Sequence, residues 1–231
     1  ITTRGSTGYG VYLVTTSNNN SVYSNTITTS NTNGYGVYLQ TRSNNNSVYS
    51  NTITTSGSNG YGVSLSSSSN NSVYSNTITT SGSSGYGAYL LTSSNNNSVY
   101  SNTITTRGGS GYGVRLSSSY NSVYSNNVTT SNTSSYGIYL NNKVLNSTIY
   151  DNNITTKNMT SSYGIYLLQN VNNNTFYRNT ISSLTIGILI NGSGQTAGQT
   201  TRFNTFTNDT IVPCSVGCDA NYQDIVLTNN A

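Results

Sequence analysis

The residues able to do chemistry are few and poorly matched to one another. Carboxylates stand at Asp151, Asp209, Asp219 and Asp224, and the chain has neither Glu nor His. Glycoside hydrolysis by protein carboxylates needs two acids facing one bond, yet three of these four fall in the tail beyond the repeated part of the sequence. Cys214 and Cys218 sit four apart in VPCSVGC and the single Met is Met159; without imidazole or further ligands that is a poor transition-metal site. Neither metal nor cofactor is expected. The same two cysteines are close enough for a small disulfide loop, which suits an oxidising, extracellular setting; the alternative is two free thiols. No position is assigned a catalytic role, and the chain reads as a non-enzyme.

Charge is scarce. Charged residues make up 5% of the chain and the net charge is +4, scattered without the basic cluster that a phosphate backbone requires, so nucleic acid is excluded as a partner. No apolar run approaches the roughly 18 residues of a membrane helix. The chain opens at Ile1 without Met or a recognisable signal peptide, so a preceding segment is expected to be missing or removed. Disordered chains combine low hydrophobicity with high charge and few β-branched or aromatic residues. Here Asn, Ser and Thr accompany Val, Ile, 22 Gly and 21 Tyr, a composition suited to pleated strands and turns.

What must position these residues is a repeat. The Tyr-Gly step recurs at Tyr9, Tyr35, Tyr61, Tyr86, Tyr112, Tyr136 and Tyr163, with a weaker eighth copy, TIGILI, from Thr185. Self-similarity at such a period marks a solenoid. Each unit holds three short runs, in the first copy GVYL (Gly10 to Leu13), SVYS (Ser21 to Ser24) and TIT (Thr26 to Thr28), split by Ser, Asn and Gly turn residues. Strand alternation points Val11, Leu13, Val22 and Ile27 inward and Tyr12, Tyr23, Thr26 and Thr28 outward. The inward position of the third run is Ile27, Ile53, Ile78, Ile104, Val128, Ile154 and Ile181, apolar in every copy. The outward position of Tyr12 varies through Tyr38, Ser64, Tyr89, Arg115 and Tyr139. The expected fold is all-β, a single-stranded parallel β-helix of about eight coils of three short strands over residues 1–190. A nonrepetitive C-terminal region, 191–231, is expected to serve as a cap or subunit-docking segment.

Stacking such units about 4.8 Å apart brings like residues together. Asn25, Asn51, Asn76, Asn102, Asn126, Asn152 and Asn179 then form a structural ladder at a bend, where an Asn amide tolerates unusual backbone angles and bonds the next rung. Asp151 and Arg178 hold the same place in successive coils and are expected to meet as an exposed ion pair. Outside, Tyr23, Tyr49, Tyr74, Tyr100, Tyr124, Tyr150 and Tyr177 form a stripe, with an interrupted second row at Tyr12, Tyr38, Tyr89, Tyr139 and Tyr166. Such a stripe can stack on sugars, meet another subunit, or simply stiffen the wall. A Thr array, Thr26/Thr28, Thr52/Thr54, Thr77/Thr79 and Thr103/Thr105, repeats about 4.8 Å along the axis and about 6.6 Å along each strand. It resembles the flat Thr faces of ice-binding β-solenoids, and decays where Asn127 and Asn153 replace the first Thr and Ser182 the second. Sequons for N-glycosylation stand at Asn19, Asn45, Asn70, Asn96, Asn127, Asn132, Asn146, Asn153, Asn158, Asn173, Asn191 and Asn208, and a secreted chain is expected to carry glycans at some of them.

The string GVYLVTTSNNNSVYSNTI and its copies out to about Ile190 resemble the right-handed parallel β-helix proteins of the pectate-lyase-like class, particularly the NosD-like surface repeats. Right-handed winding is implied by that resemblance. Members include polysaccharide lyases and hydrolases, carbohydrate-binding surface proteins, phage tailspikes and proteins linked to copper-enzyme maturation. A lyase of the class implies several carboxylates around calcium with a basic residue as base, a set these repeats lack. The motif specifies a fold and leaves the activity open.

ITTRGSTGYG at Ile1 matches ITTRGGSGYG at Ile104, so the chain starts in mid-coil. Either a longer β-helix continues upstream, or the open coil docks on the tail of another subunit, a heterologous contact that propagates. The sequence therefore leads to a structural extracellular or cell-surface protein, self-associating end to end into a rod or filament. A carbohydrate-binding adhesin using the tyrosine stripe and an ice-binding protein using the Thr array are the alternatives.

Overall fold

The computed structural model describes residues 1–4, 7–157, 160–191, 201–212 and 223–228, the last six by their backbone. In one representative coil the three runs are the strands Val37–Gln40, Ser47–Tyr49 and Thr52–Thr55. Each pairs in parallel with its counterparts in the coils on either side. Among the described residues this builds two nine-stranded sheets and one eight-stranded sheet, here called the GVYL, TITT and SVY sheets. Register is like on like: Ile27 lies beside Ile53, Ile53 beside Ile78 and Ile78 beside Ile104.

The corners explain why the strands are so short. Ser24, Ser50, Ser75, Ser101 and Ser125 have left-handed φ angles of 54–55°, and Asp151 (55°) and Arg178 (53°) take the same place in later coils. One residue in that conformation turns the chain sharply between the SVY and TITT strands. The expectation that the ladder Asn itself would accept an unusual backbone angle is corrected here, since the strain sits one residue earlier and the ladder Asn is chosen for its carboxamide. At the next corner the last Thr of each TITT run turns inward. Thr29, Thr55, Thr80 and Thr106 are fully buried, and their hydroxyls donate to the carbonyls of Gly34, Gly60, Gly85 and Gly111 at 2.8–3.0 Å.

Inside, the seven aliphatic residues from Ile27 to Ile181 have no exposed surface and join one continuous core with the inward residues of the other two sheets. Burying each such side chain stabilises by about 1.5–3 kcal/mol. Towards the C-terminus the SVY core residue enlarges from Val to Ile149 and then Phe176, whose ring stacks on Phe206 at 4.5 Å. Strands Thr205–Thr207, Thr210–Val212 and Gln223–Thr228 extend the three sheets by another rung. The sequence repeat fades at about Asn191, but the winding continues past it. No helix among the described residues is long and apolar enough to cross a membrane.

Candidate functional site

The Asn columns, among the most regular polar features of the sequence, are turned inward by the fold. Along the Asn ladder the backbone N–H and the Nδ2 of each rung both donate to the Oδ1 of the next. For Asn102 these bonds to Asn126 are 3.0 Å each, and its Nδ2 also reaches the carbonyls of Val73 and Tyr100 at 2.9 Å. The rungs from Asn51 to Asn179 are buried. Buried polar groups are tolerable only when so satisfied.

A second ladder runs along the corner before the SVY strands and escaped the sequence reading. Asn46 donates through N–H and Nδ2 to Asn71 Oδ1 at 2.8 and 3.1 Å, and Asn71 does the same to Asn97. The column includes Asn20, Asn121 and Asn174, with Ser147 as its one hydroxyl rung. The available signal was the constant phase of this Asn, two residues before each inward Val.

Both carboxylates whose side chains are described are engaged. Asp151 receives a bidentate pair from Arg178, Nε to Oδ1 at 2.7 Å and Nη2 to Oδ2 at 2.8 Å, and this hydrogen bonding holds the Asp151 carboxyl below the usual carboxylate range. Asp209 takes the Asn ladder's place in the following coil, accepting from Asn179 N–H and Nδ2 at 2.8 Å each. Cys214, Cys218, Met159, Asp219, Asn158 and the side chain of Asp224 lie outside the described residues, and with them the expected disulfide.

The tyrosine stripe is a stack. From Tyr23 to Tyr177 successive ring centres are 4.7–5.1 Å apart and the planes diverge by 1–6°. Each ring from Tyr49 to Tyr150 has both faces covered by its neighbours, Tyr23 has one so covered, and Arg178 lies over Tyr177 at 4.8 Å. Outward the stripe therefore presents ring edges and hydroxyls, whereas sugars stack on ring faces. The Tyr-Gly tyrosines form a further ladder, for example Tyr61 on Tyr86 at 4.8 Å. Against it the interrupted row stands edge-on, with Tyr89 at 5.3 Å and 89° from Tyr86. Burial pushes the Tyr35 and Tyr112 phenols up to about 12. Arg115 enters this wall with its guanidinium 4.8 Å from the Tyr89 ring centre, donating through Nη1 to the Tyr86 hydroxyl at 3.1 Å. Ser64, one rung before Tyr89 in the same row, has a buried hydroxyl without a hydrogen-bond partner among the described residues.

The Thr array lies on the outer face of the TITT sheet. Thr26, Thr52, Thr77 and Thr103 form one exposed column, with Thr28, Thr54, Thr79 and Thr105 beside it. Of the sequon residues, Asn19, Asn45, Asn70, Asn96, Asn146 and Asn173 share one exposed, left-handed turn position. Asn127, Asn153 and Asn208 are exposed elsewhere. Asn132 donates to the Arg107 carbonyl and Asn191 to the Tyr166 hydroxyl.

Coils of three strands stacked in register over a dry interior, with side-chain ladders at their corners, define a parallel β-solenoid. The chain belongs to the family described as "Right handed beta helix region", whose model matches residues 9–181. Among solved structures it is similar to the A-module of the mannuronan C-5 epimerase AlgE4 from Azotobacter vinelandii, with a TM-score of 0.51 and 15% identity. That match covers 92% of this chain and 63% of the epimerase module, and at this identity the likeness is one of fold. No curated protein matches the sequence.

Proposed function

We propose that this chain is a non-catalytic structural element of an extracellular or cell-surface protein, a stiff β-helical rod that associates end to end. The observation that supports it is the fate of the polar chemistry: Asp151 is bound to Arg178, Asp209 takes a rung of the Asn ladder, and Arg115 is enclosed by tyrosines. Each coil presents both donors and acceptors to its neighbour, Gly10 N–H bonding the Tyr35 carbonyl while Ser47 N–H bonds the Asn20 carbonyl, so every coil is a template for another of its kind. Negative-stain microscopy over a concentration series should give particles that lengthen along the coil axis, and a discrete monomer throughout would remove the end-to-end association. Mannuronan incubated with the protein should keep its C-5 configuration by proton NMR; inversion would overturn the non-catalytic reading.

Ice binding is a second reading, favoured by the eight hydroxyls of the Thr array. They stand in register, and the near-zero rotation between stacked tyrosines of the adjoining sheet argues for little twist. Thermal hysteresis that disappears in Thr52→Tyr is the result it requires, and its absence in the unaltered protein ends it.

A further inference from the structure

Asp209 stands where earlier coils have Asn. Its Oδ1 does what every Oδ1 of the ladder does, accepting twice from the rung before. Its Oδ2 is buried and has no hydrogen-bond partner among the described residues. In earlier rungs the atom in that place is an Nδ2, a donor. Asn152 Nδ2, for example, donates to its own coil's Tyr150 carbonyl and to the Val123 carbonyl of the preceding coil. By the register of Phe176 beside Phe206 the equivalent carbonyls are those of Phe176 and of Thr207, the latter also accepting from the Arg178 N–H at 3.2 Å. Carbonyl oxygens call for a donor, and an ionised carboxylate has none to offer, whereas a protonated one has its O–H.

The charged and titratable groups on the surrounding strands face elsewhere. Arg178 is turned to Asp151 and lies over Tyr177, while Arg202 lies over Phe203. No described cation pairs with Asp209 to favour its anion.

We propose that Asp209 occupies its rung as the neutral, protonated acid, its Oδ2–H donating into this carbonyl niche, so that this rung of the ladder is closed in acid and loosens as the pH rises. Burial raises the Asp209 carboxyl above its ordinary range, with the two Asn179 hydrogen bonds opposing. With a folded-state pKa above the exposed value of about 4, the rung contributes fully below that value and is weakened as pH rises through the folded pKa, when the proton leaves to water. The device is independent of the structural reading above, because it concerns one coil's stability in any role.

Carbon-13 NMR of the aspartate carboxyls in the whole protein, assigned with Asp209→Asn, tests this directly. Asp209 should titrate above the ordinary carboxylate range and Asp151 below it. Hydrogen-exchange protection of the Asn179 amide should fall about tenfold per pH unit between the exposed and folded pKa values, and stay constant in Asp209→Asn, where an amide restores the donor. Titration of Asp209 at or below the exposed range overturns the proposal, as does the same pH dependence of Asn179 protection in both proteins.

Discussion

Replacing Asn126 by Ala is expected to destabilise the protein by about 4 kcal/mol, whereas the same change at Asn127, its neighbour in sequence, should stay within about 0.5 kcal/mol. Asn126 is buried, and its Oδ1 is the acceptor for both the N–H and the Nδ2 of Asn102. Its own Nδ2 donates to Asn152 Oδ1 and to the Val99 and Tyr124 carbonyls. Alanine removes these five hydrogen bonds in a place water cannot reach, each worth about 0.5–1.5 kcal/mol net. Asn127 points out of the TITT sheet into solvent. Set against a total stability of about 5–15 kcal/mol, the first loss is severe. Urea unfolding of the two variants checks the contrast, and equal effects would remove the ladder from the account.

Glycine substitution should separate just as sharply. A Cβ at Gly87 would lie 2.2 Å from Ile104 Cγ2 and 2.6 Å from the Gly113 carbonyl oxygen of the next coil. The methyl cannot be accommodated without moving backbone, because stacking holds the coils at the strand spacing on both sides. Gly87→Ala is expected to cost about 3 kcal/mol, and Gly87→Val to abolish folding. At Gly109 the nearest atom to an added Cβ is 4.0 Å away and φ lies outside the left-handed region. There alanine should be neutral or stabilise by up to about 1 kcal/mol, through the unfolded chain. Thermal midpoints of Gly87→Ala and Gly109→Ala decide it.

The column Ile27 to Ile181 was legible in the sequence because two periods agree on it, the strand's two residues and the repeat's 24–27. The second Asn ladder was not. Runs such as Asn44, Asn45 and Asn46 offer three identical residues, and only the corner geometry turns Asn46 inward while Asn45 takes the exposed, left-handed place. Asp209 read as a stray carboxylate for a related reason. Ladder spacings are 24 to 27 residues up to Asn179, but 30 from Asn179 to Asp209, so alignment on the Tyr-Gly step loses it. The tyrosine stripe was legible as a row, but its consequence, that stacked rings cover one another's faces, needed the 4.7–5.1 Å separations.

The Asn ladders of this chain are interior fastenings of a stack. Hydrogen exchange of the side-chain amides measures this directly by NMR in D2O. The Nδ2 protons of Asn76, Asn102 and Asn126 should persist as long as the backbone amides of Ile78 and Ile104, opening only when the coils separate. Exchange as fast as that of exposed Asn45 would contradict the account.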